Sequence, residues 1–318
     1  MKGPERIASV SVDVDSVACY RDIHGLTDAP LHPDPAYVVG LHRYLNLMAE
    51  LQIPTTLFVI GKDTDDPQHR GILKAAAKDG HELASHSWSH DYALRTRGHR
   101  FIFDDLSRAH DALASLQQSD PVGFRAPGYN IDDHILEACI ELGYTYDSSV
   151  FPCPPYYGAK GLIMAAQFAL GRPSRSAMTR AEALVAPLQP YRPRVGGTRP
   201  MFWKRGDAPI LEIPMAVIPG VRFPVIGTSL HVLRESGFDA AYPLLRRTHR
   251  MLNLEFHAID FMDSHDPGMR ALVKYQPDLN VPWETKRARY RHIFGTVARD
   301  YGFATLEAAT RAWSDAHS

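Results

Sequence analysis

The sequence predicts an α/β protein wound around a mostly parallel sheet or barrel. Three observations carry that expectation. Segments rich in β-branched residues alternate with amphipathic helical patterns along most of the chain, the signature of repeated β-α units. The chain has 318 residues, 45% hydrophobic and 22% charged, enough to bury a substantial core in one large domain spanning 1–318. Acids, histidines and an arginine stand at the ends of the expected strands, where such folds place their chemistry.

Taken in order, an alternating segment at 7–14 opens the chain, and further strands are expected near 55–60, 82–85, 122–125, 144–147, 210–213 and 253–257. Helical patterns fall between them at 36–51, 71–78, 103–116, 132–142, 240–252, 285–300 and 306–312. The repeat breaks once, over 151–205, where eight prolines and nine Lys/Arg accompany the single acid Glu182. That stretch carries +8 while the remainder carries −9, and it reads as an insertion in the β-α repeat.

Whole-molecule charge excludes little but guides much. With 35 basic and 36 acidic side chains the net charge is −1, so nothing points to nucleic acid as a partner. Cys19, Cys139 and Cys153 are few and widely separated, which excludes a disulfide framework or a cysteine zinc knuckle and favours a reducing compartment. The first alternating segment begins where the apolar region of an export signal would lie, so no export is expected. No run approaches the roughly 20 apolar residues of a membrane span; the longest, 161–170, is about half that.

Four segments could carry chemistry. In Ser11-Val12-Asp13-Val14-Asp15-Ser16, strand alternation sends Asp13 and Asp15 out on one face, where two carboxylates could serve as metal ligand and base. Capping of the following loop or helix is the alternative. His86 and His90, in His86-Ser87-Trp88-Ser89-His90, have the four-residue spacing that places two imidazoles on one side of a turn, as metal chelation requires. Ser87 could hold that loop through its hydroxyl, and His81 at the strand's start reads as structural. Phe124-Arg125-Ala126-Pro127-Gly128-Tyr129 ends another strand with a guanidinium and a tight turn that exposes backbone amides to a developing oxyanion; an ordinary surface salt bridge is the alternative. His257 closes the last strand, with Asp260 and Asp263 following, either as a core histidine or as an acid.

Together, an Asp pair, a His-Ser-x-x-His loop, an Arg-x-Pro turn and a late Phe-His strand occur in the order that resembles the polysaccharide deacetylases, the NodB-homology or carbohydrate esterase family 4 group, over about residues 7–265 apart from the basic insertion. The resemblance implies a distorted, seven-stranded (β/α) barrel. It implies that Asp13 is the catalytic base and that Asp15, His86 and His90 hold one divalent metal, usually zinc, with cobalt, manganese or nickel as alternatives. It further implies that Arg125 pairs with Asp13, that the Gly128 amide helps form an oxyanion hole, and that His257 is the acid protonating the leaving amine. Physical chemistry agrees: such a metal polarises an amide carbonyl and acidifies a bound water, and amide cleavage needs an acid for its poor leaving group.

Three departures from the commonest family form refine these expectations. The Asp-Val-Asp spacing resembles the branch of intracellular peptidoglycan deacetylase-like proteins and deformylases of lipid-linked aminoarabinose, which favours a cytoplasmic member. Gly128 stands where an aromatic residue often follows the proline, leaving the oxyanion amide to Gly128 or Tyr129. Leu211-Glu212-Ile213-Pro214 stands where many members carry an Asp/Trp element, so Glu212 either supports Arg125 and the site from behind or is a plain strand-end carboxylate.

The reading is a metal-dependent hydrolase of carbon–nitrogen bonds other than peptide bonds, removing an acetyl or formyl group from an N-acylated amino sugar. Hydrolysis of a small non-sugar amide, as in allantoinase-like relatives, and a sugar-binding barrel without turnover are the alternatives. Lys160, Arg172, Arg175, Arg180, Arg192, Arg194, Arg199, Lys204 and Arg205 beside the apolar run 161–170 fit peripheral contact with an anionic membrane and a lipid- or phosphate-linked substrate. The alternative is that the insertion packs over the rim with its arginines paired. Sequence leaves the oligomeric state open.

Overall fold

A computed structural model describes residues 6–26, 30–169, 171, 178–196 and 201–317. Its strands are β1 (Ile7–Val14), β2 (Thr55–Val59), β3 (Glu82–Ser85), β4 (Gly123–Phe124), β5 (Tyr146–Asp147), β6 (Pro193–Arg194), β7 (Met201–Arg205), β8 (Leu211–Glu212), β9 (Val217–Ile218), β10 (Phe223–Pro224), β11 (Met251–His257) and β12 (Gly302–Phe303). Seven of them form the main sheet in the order β11-β1-β2-β3-β4-β5-β8, every pairing parallel, and curl into a distorted (β/α) barrel. The short β12 lies against the first two residues of β1.

The β1 sequence explains why it is buried on both faces. Ala8, Val10, Val12 and Val14 are fully buried on one side against the helices, while Ser9, Ser11 and Asp13 are buried on the other. Each large apolar side chain so buried contributes about 1.5–3 kcal/mol. The polar face is tolerated because it has partners inside the barrel; Ser11 Oγ accepts from Arg125 Nη2 at 3.0 Å. Close strand approach also constrains residue size: a Cβ on Gly123 would lie 2.0 Å from the Tyr146 ring.

Between β8 and β11 no ladder forms among the described residues. The antiparallel β9–β10 hairpin fills that gap, with Ala216 N–H donating to Asn253 O (2.9 Å) and Ile226 bridging Glu255. The barrel is therefore closed by a hairpin.

Most expected elements are present, with shifted limits. The 36–51 pattern begins with a π-helical segment, Ala36–Leu41, before the α-helix His42–Leu51. The expected helix at 240–252 is corrected to Gly227–Thr248: Met251 and Leu252, which lack β-branching and read as the helix's end, form the start of β11. The helix Val17–Ile23 was not expected.

The 151–205 stretch is structured wherever it is described. It holds the helix Pro154–Ala169 and the β6–β7 hairpin, and it buries Phe151, Tyr157, Ala183, Tyr191 and Phe202. Prolines hid the helix, because they stand at its first positions, where a missing N–H costs nothing. Arg172, Arg175 and Arg199 lie outside the described residues. No helix of the described residues is long and apolar enough to cross a membrane.

Candidate metal and acid-base centre

The C-terminal ends of four parallel strands converge on one polar cluster. Asp13 and Asp15 end β1, His86 follows β3, Arg125 follows β4, and His257 closes β11 beside Asp13 in register. All but His257 are at least nine-tenths buried.

His86, His90 and Asp15 gather around one point. Asp15 Oδ1 lies 3.5 Å from His86 Nε2 and 3.3 Å from His90 Nε2, and the ligand atoms of all three fall within 4.8 Å of one another. Two donors on a tetrahedral ion at zinc-ligand bond lengths sit roughly 3.3–3.5 Å apart, so the spacing fits. The proton arrangement fits as well. His86 Nδ1 must donate to the Arg125 carbonyl at 2.7 Å, which leaves the Nε2 lone pair facing a carboxylate with nothing positive between them. Asp15 Oδ1 and His90 Nε2 are buried without a hydrogen-bond partner among the described residues. These residues fit a divalent ion.

The local electrostatics show the same demand for positive charge. Burial works against ionised Asp15, but His90, His86 and His257 hold its carboxyl well below the usual range. Burial pushes His86 down to about 4, whereas for His90 burial is outweighed by the Asp15 carboxylate and its neighbours, which raise it. A divalent cation held by these three residues would supply that positive charge.

The loop carrying the histidines is held by strain and anchors. Ser87 and His90 adopt left-handed φ of 62° and 54°, uncommon for such residues. Ser87 Oγ accepts from His90 N–H at 3.0 Å, the loop-holding contact expected of that serine. Asp105, from the helix His99–Gln117, accepts from the N–H groups of Trp88 (2.8 Å) and Ser89 (3.1 Å). Sequence reasoning missed Asp105, because an aspartate inside a helix carries no local mark of a partner loop.

Arg125 locks Asp13. It is fully buried over the Phe58 ring, donates through Nη1 to Asp13 Oδ1 at 2.5 Å, and is fixed by Ser11 and by both Ser148 acceptors at 2.8–3.0 Å. One Asp13 oxygen is thereby occupied. The other, Oδ2, lies 3.8 Å from His86 Nε2 and 4.0 Å from His257 Nε2.

His257 has a carboxylate behind it. Its Nδ1 is 2.9 Å from Oε1 of the fully buried Glu255, a charge contact, since neither Glu255 oxygen has a well-aligned donor. Burial lowers the imidazole's pKa, but Glu255 first, then Asp13 and Asp15, raise it above its ordinary value. Glu255 was also missed, although two-residue spacing on one strand face was the signal available for it. Asp260 accepts from the His257 N–H at 2.8 Å, and Asp263 accepts from Trp283 and His265 N–H groups as a turn anchor.

The Pro127 turn places Gly128 at φ 61° and Tyr129 at φ 63°. Tyr129 N–H donates to the Ala126 carbonyl, whereas no backbone acceptor for Gly128 N–H occurs among the described residues. Gly128 is the amide left open. Glu212 does not touch Arg125. It accepts from Val150 N–H at 3.0 Å and shares a buried carboxyl pair with Asp147, both raised by burial; Asp147 accepts from Ser149 Oγ, which accepts from Ala126 N–H at 2.8 Å. Glu212 thus props the turn from behind. His81 Nδ1 accepts from Thr55 N–H at 3.3 Å, away from the cluster.

Comparison with known proteins bears out the family resemblance. The polysaccharide deacetylase family model matches residues 34–146, which include His86, His90 and Arg125. Peptidoglycan-N-acetylglucosamine deacetylase of Bacillus cereus is 28% identical over 114 residues, 35% of this chain and 49% of that protein, so the match spans about half of the relative's length. Two solved structures share the fold at a TM-score of 0.58. One, described as a polysaccharide deacetylase of Mycobacterium smegmatis, is 18% identical, with 97% of this chain and 90% of that chain covered. The other, Puue allantoinase, is 15% identical, with 99% and 92% covered.

Proposed function

We propose, from the match to the polysaccharide deacetylases, that this protein is a metal-dependent hydrolase that removes an N-acyl group from an amino sugar. One observation carries the reading: a three-residue metal cluster shares its space with a carboxylate oxygen left open by an arginine clamp and with a carboxylate-backed histidine. The acetylated substrate of the Bacillus cereus relative favours acetyl over formyl.

Asp15, His86 and His90 would hold the divalent ion, zinc by its mixed nitrogen and oxygen donors. When bound, it supplies Lewis-acid polarisation of the acyl oxygen and lowers the pKa of water. Arg125 keeps Asp13 Oδ1 engaged, so Oδ2 is the atom that takes the proton of the attacking water. As the water oxygen bonds to the acyl carbon, charge developing on the acyl oxygen meets the Gly128 N–H. His257 Nε2 then gives its proton to the nitrogen as the C–N bond breaks, leaving a carboxylic acid and a free amine, while Glu255 stabilises the imidazolium beforehand. The test is mass spectrometry of free and lipid-linked N-acyl sugars, with allantoin as the non-sugar arm, before and after incubation with the zinc-loaded protein. Loss of one acyl mass from a sugar supports the reading; turnover of allantoin alone overturns it.

We further read the chain as one domain with a cytoplasmic location, which three buried free cysteines suit. Peripheral contact with an anionic membrane is supported by the helix Pro154–Ala169, which exposes Leu162, Ile163 and Phe168. Flotation with anionic and neutral vesicles tests it: equal flotation at low salt ends the membrane reading.

A further inference from the structure

A second concave site lies at the opposite end of the barrel. It is a groove of about 670 Å³ whose lining includes Arg192, Arg205, Arg247, Arg250, Trp313 and His317, with no carboxylate among its lining residues. Arg250 immediately precedes β11 and His257 ends it, so at about 3.3 Å per residue the groove is roughly 20 Å from the catalytic cluster. That volume is ample for a nucleotide or a sugar phosphate.

Three separate parts of the chain bring these residues together. Arg192 and Arg205 flank the β6–β7 hairpin, where Gly206 N–H donates to Arg192 O at 2.8 Å. Arg247 lies in the last turn of the helix Gly227–Thr248, and Gln189 fixes Arg250 by accepting its backbone N–H at 2.9 Å. Trp313 and His317 stack at 4.3 Å on the final helix, Leu306–His317. Several exposed arginines elsewhere have acids: Arg246 pairs with Asp300, Arg287 with Glu50, Arg97 with Asp91 and Arg311 with Glu307. Arg205, Arg247 and Arg250 have no carboxylate partner among the described residues.

Like charges converging without a counter-charge raise the energy of the empty groove, and an anion that fits between them relieves it. Guanidinium groups offer paired N–H donors matched to phosphate oxygens, and four of them outnumber the charge of a single carboxylate. We infer that this groove binds a phosphate-bearing ligand, on a site separate from the catalytic cluster. Two arginines of the basic insertion therefore serve the end of the barrel away from the catalytic rim.

Isothermal titration of the full-length protein with ADP at low salt tests the inference. The expected result is one saturable site whose affinity falls about tenfold or more in the Arg247→Gln/Arg250→Gln variant, since each exchange removes charged hydrogen bonds to phosphate. Binding should persist in the His86→Ala/His90→Ala variant, which separates the groove from the metal cluster. Where circular dichroism finds the double arginine variant unfolded, Arg205→Gln alone should weaken binding. A parallel arm sediments the protein with phosphatidylcholine vesicles with and without phosphatidic acid. Pelleting that depends on phosphatidic acid and on these arginines assigns the phosphate to a lipid headgroup; calorimetric binding without it assigns the phosphate to a soluble ligand. No saturable binding in either arm, affinity unchanged by the arginine exchanges, or binding lost with His86 and His90 overturns the inference.

Discussion

The two ends of the barrel bury charge in opposite ways. At the N-terminal end of β3, Glu82 is saturated: it accepts from Tyr146 Oη and Thr56 Oγ1 at 2.7 Å and from Glu307 N–H at 3.0 Å, anchoring the start of the last helix. At the C-terminal end, Asp15 Oδ1 and His90 Nε2 are equally buried but left open, His90 on a loop held in left-handed backbone. The lesson is that burial alone does not mark chemistry. A buried carboxylate whose lone pairs are filled is architecture, and one whose lone pairs point at an orphaned imidazole is kept for a ligand.

That contrast can be broken or sharpened by experiment. The largest expected effect is at the open end, where His86→Ala and His90→Ala should each lose metal after dialysis and lose turnover with it. Asp13→Asn should instead keep metal and lose roughly 10²–10⁴-fold in kcat, the range of a missing general base. Equal metal loss in all three, by atomic absorption, would sink the division between ligand and base.

Next, Glu255→Gln should slow amide hydrolysis about tenfold or more yet spare an activated aryl acetate, because an acid assists only a leaving group that needs a proton. His257→Ala should show the same pattern more strongly. An equal fractional loss on both substrates would make the Glu255–His257 pair structural.

A smaller, purely thermodynamic effect belongs to the saturated end. Burial raises the Glu82 carboxyl from 4.5 to about 7, although its hydrogen bonds oppose the shift. As pH rises the unfolded chain therefore releases this proton first. The contribution of Glu82 to stability is complete below pH 4.5 and declines until about pH 7, by about 3 kcal/mol in all. Urea unfolding of Glu82→Gln should lack this decline and leave metal content untouched. The least effect is expected for Arg246→Gln, which removes an exposed pair with Asp300 and should change stability by under about 1 kcal/mol.

Much of the fold and most of the site were legible because their signals are local. Strand periodicity placed Asp13 and Asp15 on one face, and the four-residue spacing of His86 and His90 needed only one turn of chain. Where the local signal was ambiguous it misled: Met251 and Leu252 read equally as helix, and Pro154 and Pro155 disguised a helix start. Glu255 carried a readable spacing to His257, yet a glutamate in an apolar strand gains meaning only once its isolation from other donors is seen.

By itself, then, the sequence determined the β-α alternation, the four motifs and the order in which they occur, since each depends on backbone periodicity over a few residues. Tertiary structure alone decided what those motifs meet. The curl of the sheet brings Arg125 to Asp13 across 112 residues, sets Asp105 under the histidine loop, closes the barrel with the β9–β10 hairpin, and gathers the lining of the far groove from three segments. Such contacts follow from strand order and packing, which no local period along the chain encodes.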